Sequence, residues 1–444
     1  MSLILIALIS ILGVIFSKLL LNKWFNHLAL YCIIMGGLIF LYELKLLLYE
    51  DLSPLTWSLV IGAFLSFFLG IVTITSARNL YPKMQSFYPK ISSSSLPIFV
   101  DNGKALKYSI FFFSLIGLFV AVHRWYVLIN IFGSIPAVLL NAGLVYRLNV
   151  NREIKEFIPI LPSFIYVAVF LTGIYTAYKG KFSLLTFFPF VGIVLKELTY
   201  FGRGEMLFSL LEFLFSFILF RHLLSDDISQ KFKFAKKNII LALFLLLGFL
   251  IASASFVRIS RGSSENYLGA SKELRQLEDN FIISPSVYLY LSSDIGVFNK
   301  YLELDREDTE FGQNSFLFFY DLLSRFEVVE KPKFFQKGYF IPMWTNTGTY
   351  IREIHADFGS LGVLIVPYLL GLIITWLWFK FYEKKNLIVF AFLVYLYLII
   401  GFSFLMMVTR LNQWSLSLCF ILFYLPVLEK IALRGKTIIY RKNN

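Results

Sequence analysis

The run TNTGTYIREIHADFGSLG, residues 345–362, places Arg352, Glu353, His355 and Asp357 within six positions of one another. Read as a helix, it puts Arg352 and His355 three residues apart on one face. Glu353 and Asp357, four apart, lie on another face rotated by roughly 100–150°. All four therefore cannot line one cleft, and one pair is expected to brace the surrounding chain. His355 is the only histidine in 257–357, and an unperturbed imidazole suits proton transfer near neutrality. Glu353 and Asp357 are the alternative bases.

Arginines supply the complementary chemistry. Arg258 and Arg261, in FVRISRG, are spaced i, i+3, so a helix ending at Gly262 turns both guanidinium forks the same way. Arg203 lies between Gly202 and Gly204 at the start of an apolar run, with Glu205 after it. There a helix N-terminus can approach an anion closely and add its N–H groups to the guanidinium. Arginine grips phosphate or carboxylate as a planar, permanently charged fork, which lysine does not. Arg203, Arg258, Arg261 and Arg352 are the candidate phosphate ligands. Glu212, about two turns into the same run, is a functional acid or a structural partner for a neighbouring helix.

The elements that must position these residues are apolar. Of 444 residues 58% are hydrophobic and 16% charged, against about half and a quarter in soluble domains. The excess falls into runs long enough for the ~30 Å hydrocarbon core: 2–22, 27–47, 54–77, 106–124, 157–177, 182–200, 204–221, 238–256, 359–379, 387–408 and 412–428. The intervening stretch 123–156, broken by Gly133 and Pro136, reads as an interfacial or re-entrant segment. The first run lacks a basic leader and a small-residue cleavage site, so it reads as a retained span. The expected fold is an all-α polytopic membrane protein with about eleven transmembrane helices. Residues 1–256 hold eight of them, 257–357 form one large external loop, and 358–444 hold three more and a basic tail.

Lysine sets the orientation. The connections at Lys18–Lys23, Arg78–Lys107, Lys179–Lys181, Arg221–Lys237 and Lys380–Lys385, with the tail Lys430–Lys442, carry 22 of the 41 Lys and Arg. The positive-inside rule assigns them to the cytoplasm, with the N-terminus outside and the C-terminus inside. The remaining arginines, Arg124, Arg147 and Arg410 among them, then fall on the external side. The +13 net charge is accounted for by this topology and needs no nucleic-acid partner. Cys32 and Cys419 fall in apolar runs and read as core hydrophobes; no metal site is expected. His27 and His222 read as interfacial, and Phe340, Trp344 and Tyr350 as a surface on which sugars could stack. There is no P-loop, GxSxG elbow, HExxH or CxxC pair, and DRED at Asp305–Asp308 reads as a solvated face.

Several local patterns resemble the oligosaccharide repeat-unit polymerases (Wzy-type, O-antigen polymerase), membrane glycosyltransferases of the GT-C group. They are FGSIPAVLLNAGLVYR, GRGEMLFSLL, VYLYLSSDIGVFNKYLE and, most specifically, GTYIREIHADFGSLGVLIVPYLLGL. The layout of many spans with one large late loop is similar as well. The resemblance implies polymerisation of undecaprenyl-diphosphate-linked oligosaccharide repeat units on the outer face of a bacterial cytoplasmic membrane, for O-antigen, capsule or related polysaccharide. It implies no cofactor, no nucleotide sugar and no metal. The implied partners are the lipid-linked oligosaccharide, membrane lipids and a chain-length regulator. Under it, Arg203, Arg258, Arg261 and Arg352 bind diphosphate, and His355, Asp357 or Glu353 serves as base. An O-antigen ligase, sharing the leaving group, and a polysaccharide flippase are the competing readings.

Overall fold

The computed structural model describes residues 3–80, 96–150, 153–154, 158–202, 204–224, 248, 271–279, 285–304, 311–332 and 336–442. The helices are α1 (Leu3–Leu21), α2 (His27–Glu43), α3 (Pro54–Leu80), α4 (Lys104–Phe132), α5 (Ile135–Leu140), α6 (Ala142–Val150), α7 (Phe164–Lys179), α8 (Leu184–Tyr200) and α9 (Gly204–Leu223). They continue as α10 (Lys272–Asp279), α11 (Pro285–Ser292), α12 (Asp294–Leu304), α13 (Leu317–Ser324), α14 (Tyr350–Lys384), α15 (Leu387–Gly401) and α16 (Asn412–Lys442). The described strands are β1 (Tyr339–Phe340) and β2 (Trp344–Thr345), an antiparallel hairpin pairing Tyr339 with Thr345.

Each predicted apolar run overlaps a helix, except 238–256, of which only residue 248 is described. Seven helices, α1, α3, α4, α7, α9, α14 and α16, are long and apolar enough to cross a membrane. This is the build of an α-helical membrane protein. α2 and α15 are apolar but shorter, and α8 is a 17-residue helix that buries Lys196 and Glu197. The described residues thus give seven helices of full spanning length where about eleven spans were expected. The stretch 123–156 is helical to Phe132, turns at Gly133 (φ 89) and continues as α5, with Pro136 in its first turn, and α6.

Local signals set the ends. Asn26 accepts from Ala29 N (2.8 Å) as N-cap of α2, and the Asp101 carboxylate accepts from Gly103, Lys104 and Ala105 N ahead of α4. Such caps satisfy helix N–H groups that have no intrahelical acceptor.

Two compact units are formed. One comprises Met1–Phe87, Glu265–Glu383 and Leu396–Ser415; the other comprises Tyr88–Ser264, Lys384–Tyr395 and Leu416–Asn444. In the second, α4, α7, α8 and α9 pack through rings such as Phe113–Phe164 and Phe190–Phe213. In the first, α3 and α14 cross with their backbones in contact. A Cβ on Gly70 would overlap Tyr368 O, and one on Gly371 would overlap Phe67 O. Small residues at a crossing let helices approach where lipid offers no hydrophobic drive.

Gly371→Val should therefore destabilise the purified protein by the roughly 1–3 kcal/mol typical of overpacking and lower its thermal midpoint. Gly37→Ala, where a Cβ meets nothing within 4 Å, should leave it in place. Equal midpoints for the two variants would contradict the backbone contact.

Two minor expectations are corrected. His27 is not interfacial but fully buried, with Nε2 2.9 Å from Thr375 Oγ1 and its ring among Phe67, Trp378 and Tyr397. Cys32 is buried as expected, whereas Cys419 is exposed on α16.

Candidate functional site

The segment 350–358 is helical, but it does not run straight into the span. Gly359 adopts φ 66, ψ −166 inside α14, a backbone region essentially restricted to glycine. The chain there doubles back. A Cβ on Gly362 would lie 3.4 Å from Ile354 Cγ2, two residues that a straight helix would hold about 12 Å apart along its axis. At the far end, Tyr350 Oη is 2.6 Å from Tyr31 Oη. His27, one turn from Tyr31 on α2, bonds Thr375. Tyr350 and Thr375 therefore reach neighbouring turns of one helix, although a straight α14 would separate them by about 37 Å. Residues 350–358 form a short helix folded beside residues 360–375, and the polar run of the sequence is buried in that hairpin.

The two faces separate as the spacing predicts. On one, the Asp357 carboxylate accepts from Asn314 N (2.9 Å), Asn314 Nδ2 (2.9 Å) and Ser315 N (2.6 Å), which fixes the chain leading into α13. Arg410 donates to Asn314 Oδ1 and places the same Nη1 3.5 Å from Glu353 Oε1. Glu353 also accepts from Met407 N and from Gln336 Nε2 (3.1 Å). Asp357, Glu353 and Arg410 are all buried. This pair of carboxylates braces the loop, and its acceptor capacity is largely committed.

On the other face, His355 Nδ1 lies 3.0 Å from Tyr301 Oη, and the Tyr301 ring meets the imidazole edge-on. His355 Nε2 is 3.4 Å from Ser360 Oγ, beyond the Gly359 turn, a long contact for a hydrogen bond. In the tautomer whose Nδ1–H donates to the Tyr301 oxygen, the lone pair sits on Nε2. Arg352 is fully buried, stacked over Tyr301 and Tyr339, and donates to Lys337 O (2.7 Å) and Asn346 O (3.4 Å). Asp294 opens α12 beside it. Burial holds the Asp294 carboxyl well above the usual carboxylate range, and Thr347 and the Arg352 charge pull it back only in part.

The structure thus brings together His355, Arg352, Glu353 and Asp357, the last two turned away from the first two. Arg203, Arg258 and Arg261 lie outside the described residues. Asp305–Asp308 lie outside them as well. Of the expected stacking surface, Phe340 and Trp344 are exposed, but Tyr350 is buried against Tyr31 and cannot meet a sugar. Sequence reading did not single out Arg410, Asn314, Tyr301 or Asp294 for the site. Tyr301 and Asp294 lie seven residues apart in VYLYLSSDIGVFNKYLE, the spacing of one helix face two turns on.

The second unit holds another buried polar group. Lys196 Nζ donates to both Glu205 oxygens (2.8 and 2.9 Å), and Lys196 and Arg124 both lie over the Tyr200 ring. Glu212 is buried on α9, with Oε2 lacking a hydrogen-bond partner among the described residues. Among the described residues no group of three His, Cys, Asp or Glu side chains is placed to hold a metal ion. No protein-family model, curated protein or solved structure matches the chain.

Proposed function

We propose that this protein polymerises lipid-diphosphate-linked oligosaccharide repeat units at the outer face of a cytoplasmic membrane, as a metal-independent glycosyltransferase. The observation that carries the reading is the buried hairpin at Gly359. It holds an oriented imidazole, His355, beside two arginine-bearing networks at the head of a membrane-length apolar helix. A lipid-linked donor needs its reacting sugar at such a place, because its carrier stays in the bilayer.

In the reaction an acceptor sugar hydroxyl attacks the anomeric carbon of the donor. A new C–O bond forms, the bond from carbon to the diphosphate oxygen breaks, and the lipid diphosphate leaves with the electron pair. His355 Nε2 takes the hydroxyl proton. Negative charge grows on the phosphate oxygens, which preorganised guanidinium groups stabilise. Arg203, Arg258 and Arg261 are assigned that task together with Arg352. For Arg352 to serve, its bonds to Lys337 O and Asn346 O must be exchanged for phosphate oxygens. Phe340 and Trp344 are assigned to glycan stacking. A chain-length regulator is the expected protein partner.

The test is the surface glycan of a strain deleted for the protein. A polymerase joins units after they cross the membrane, so its loss should leave single repeats on the acceptor and no ladder. Long chains retained on the carrier would instead identify a ligase, and units left facing the cytoplasm a flippase. Either result would overturn this reading.

A further inference from the structure

α13 is amphipathic the wrong way round for a helix in water. Its inward side, positions 317 and 321 with 314 in the turn just before the helix, carries two polar side chains. Asn314 is held by Asp357 and Arg410, and Asp321 Oδ2 accepts from Asn412 Nδ2 (2.7 Å). Its outward face carries Phe319, Leu322 and Leu323, flanked by Phe316 at the N-cap and Phe326 two residues past its end, all exposed, Phe319 at 58% and Phe326 at 71%. Positions three and four apart share a helix side, and the bonds Phe319 N to Phe316 O (2.9 Å) and Phe326 N to Leu323 O (3.0 Å) carry the turn through both flanking residues, so the five form one apolar stripe. A contiguous apolar patch of this kind marks a surface that meets something other than solvent.

The place of α13 in the fold says what that is. Asp357 ties the turn before α13 to the residue two before the Gly359 break, where the apolar length of α14 begins. Phe311, 79% exposed, packs edge-on against Phe358 at 4.8 Å. Leu361, Leu364 and Ile365, just beyond the break, are exposed on the span itself. Gly312 lies against both Phe316 and Phe358, where a Cβ would come within 3.0 and 3.5 Å of their rings, so the apolar surface of α13 runs on through Phe358 toward the exposed side of a helix of membrane-crossing length.

We infer that α13 lies on the bilayer, its phenylalanine stripe sunk into the headgroup and acyl boundary, as an interfacial helix that seats the Gly359 hairpin on the leaflet. Interfacial helices bury such a stripe in that boundary while their other face stays polar. Here the polar face is turned to protein. This docking is independent of the reaction assigned above.

The experiment uses the full chain with Cys419→Ala, in phosphatidylcholine–phosphatidylglycerol vesicles, leaving buried Cys32 in place. Single cysteines at Phe319, Leu323, Phe326 and exposed Glu330 each carry an environment-sensitive fluorophore. Lipids brominated near the headgroup should quench the labels at 319, 323 and 326 several-fold more than the label at 330. Aqueous iodide should do the reverse. Iodide quenching at 319, 323 and 326 equal to that at 330 would overturn the proposal by showing that the stripe faces water. Protection from both quenchers would overturn it too, since a second copy or another protein would then cover the stripe. All three stripe positions are exposed, so a variant that fails to fold leaves two others to give the answer.

Discussion

Replacing Arg410 by Met should cost the protein about 3–5 kcal/mol, the usual consequence of removing one partner from a buried ion pair. Arg410 is 3% exposed, and its guanidinium lies between Asn314 Oδ1 and Glu353 Oε1. Its loss would leave the Glu353 carboxylate buried with the Met407 N–H and the Gln336 amide as neutral donors. It would also loosen Asn314, which joins Asp357 to the same network. Burial already pushes the Glu353 carboxyl up to about 7 against the pull of Arg410, so without the guanidinium it must take up a proton to stay buried, and this cost adds to the lost contact. Removing both charges tests this directly. The double variant Arg410→Met, Glu353→Gln should be less destabilised than the two single changes added together, with a coupling in the 0.5–3 kcal/mol range seen for contacting residues. Thermal unfolding of the four proteins in one detergent gives the cycle. A single Arg410→Met variant with the parent midpoint, or strictly additive changes, would show that the pair does not hold the hairpin.

What could be read from the sequence is what depends on short stretches of chain. Apolar runs appear as helices because length and composition decide them locally. His27–Glu43 and Leu387–Gly401 are shorter than the apolar runs 27–47 and 387–408 that contain them, because hydropathy does not register where a helix ends. The split between the Arg352/His355 and Glu353/Asp357 faces follows from helical periodicity, and the contacts of each pair match it. The fold-back at Gly359 was not legible. DFGSLG reads as an ordinary entry to a span, and only the tertiary contacts of Tyr350 and Ile354 reveal the reversal. The partners of the site residues were hidden for the same reason. Tyr31 and Tyr350 are 319 residues apart, and Tyr301 and His355 are 54 apart. Arg410 was visible as an arginine between two apolar runs, but nothing local connects it to Glu353. Cys419 was misplaced because residence in an apolar helix does not say which side of that helix faces protein.

His355→Ala should slow glycan transfer by the 10²–10⁴-fold typical of losing a general acid–base group, and cells carrying it should display single repeats in place of a ladder. The other two candidate bases are occupied differently. Asp357 already accepts three hydrogen bonds that fix the entry to α13, and Glu353 faces Arg410 on the far side of the short helix. His355 differs from both: its Nδ1 lies 3.0 Å from Tyr301 Oη and its Nε2 3.4 Å from Ser360 Oγ. Asp357→Asn should therefore act mainly on folding, lowering the thermal midpoint and the amount of protein. His355→Ala should leave folded protein with a slow reaction. Tyr301→Phe removes only the hydroxyl that orients Nδ1, so it should give an intermediate rate and a ladder shortened but present. Transfer rate measured with a purified lipid-linked repeat unit, at matched amounts of folded protein, separates these effects. If His355→Ala protein at the parent's thermal midpoint transferred units at the parent rate, His355 would not be the base. If Asp357→Asn protein were as stable as the parent yet inactive, the proton acceptor would be Asp357.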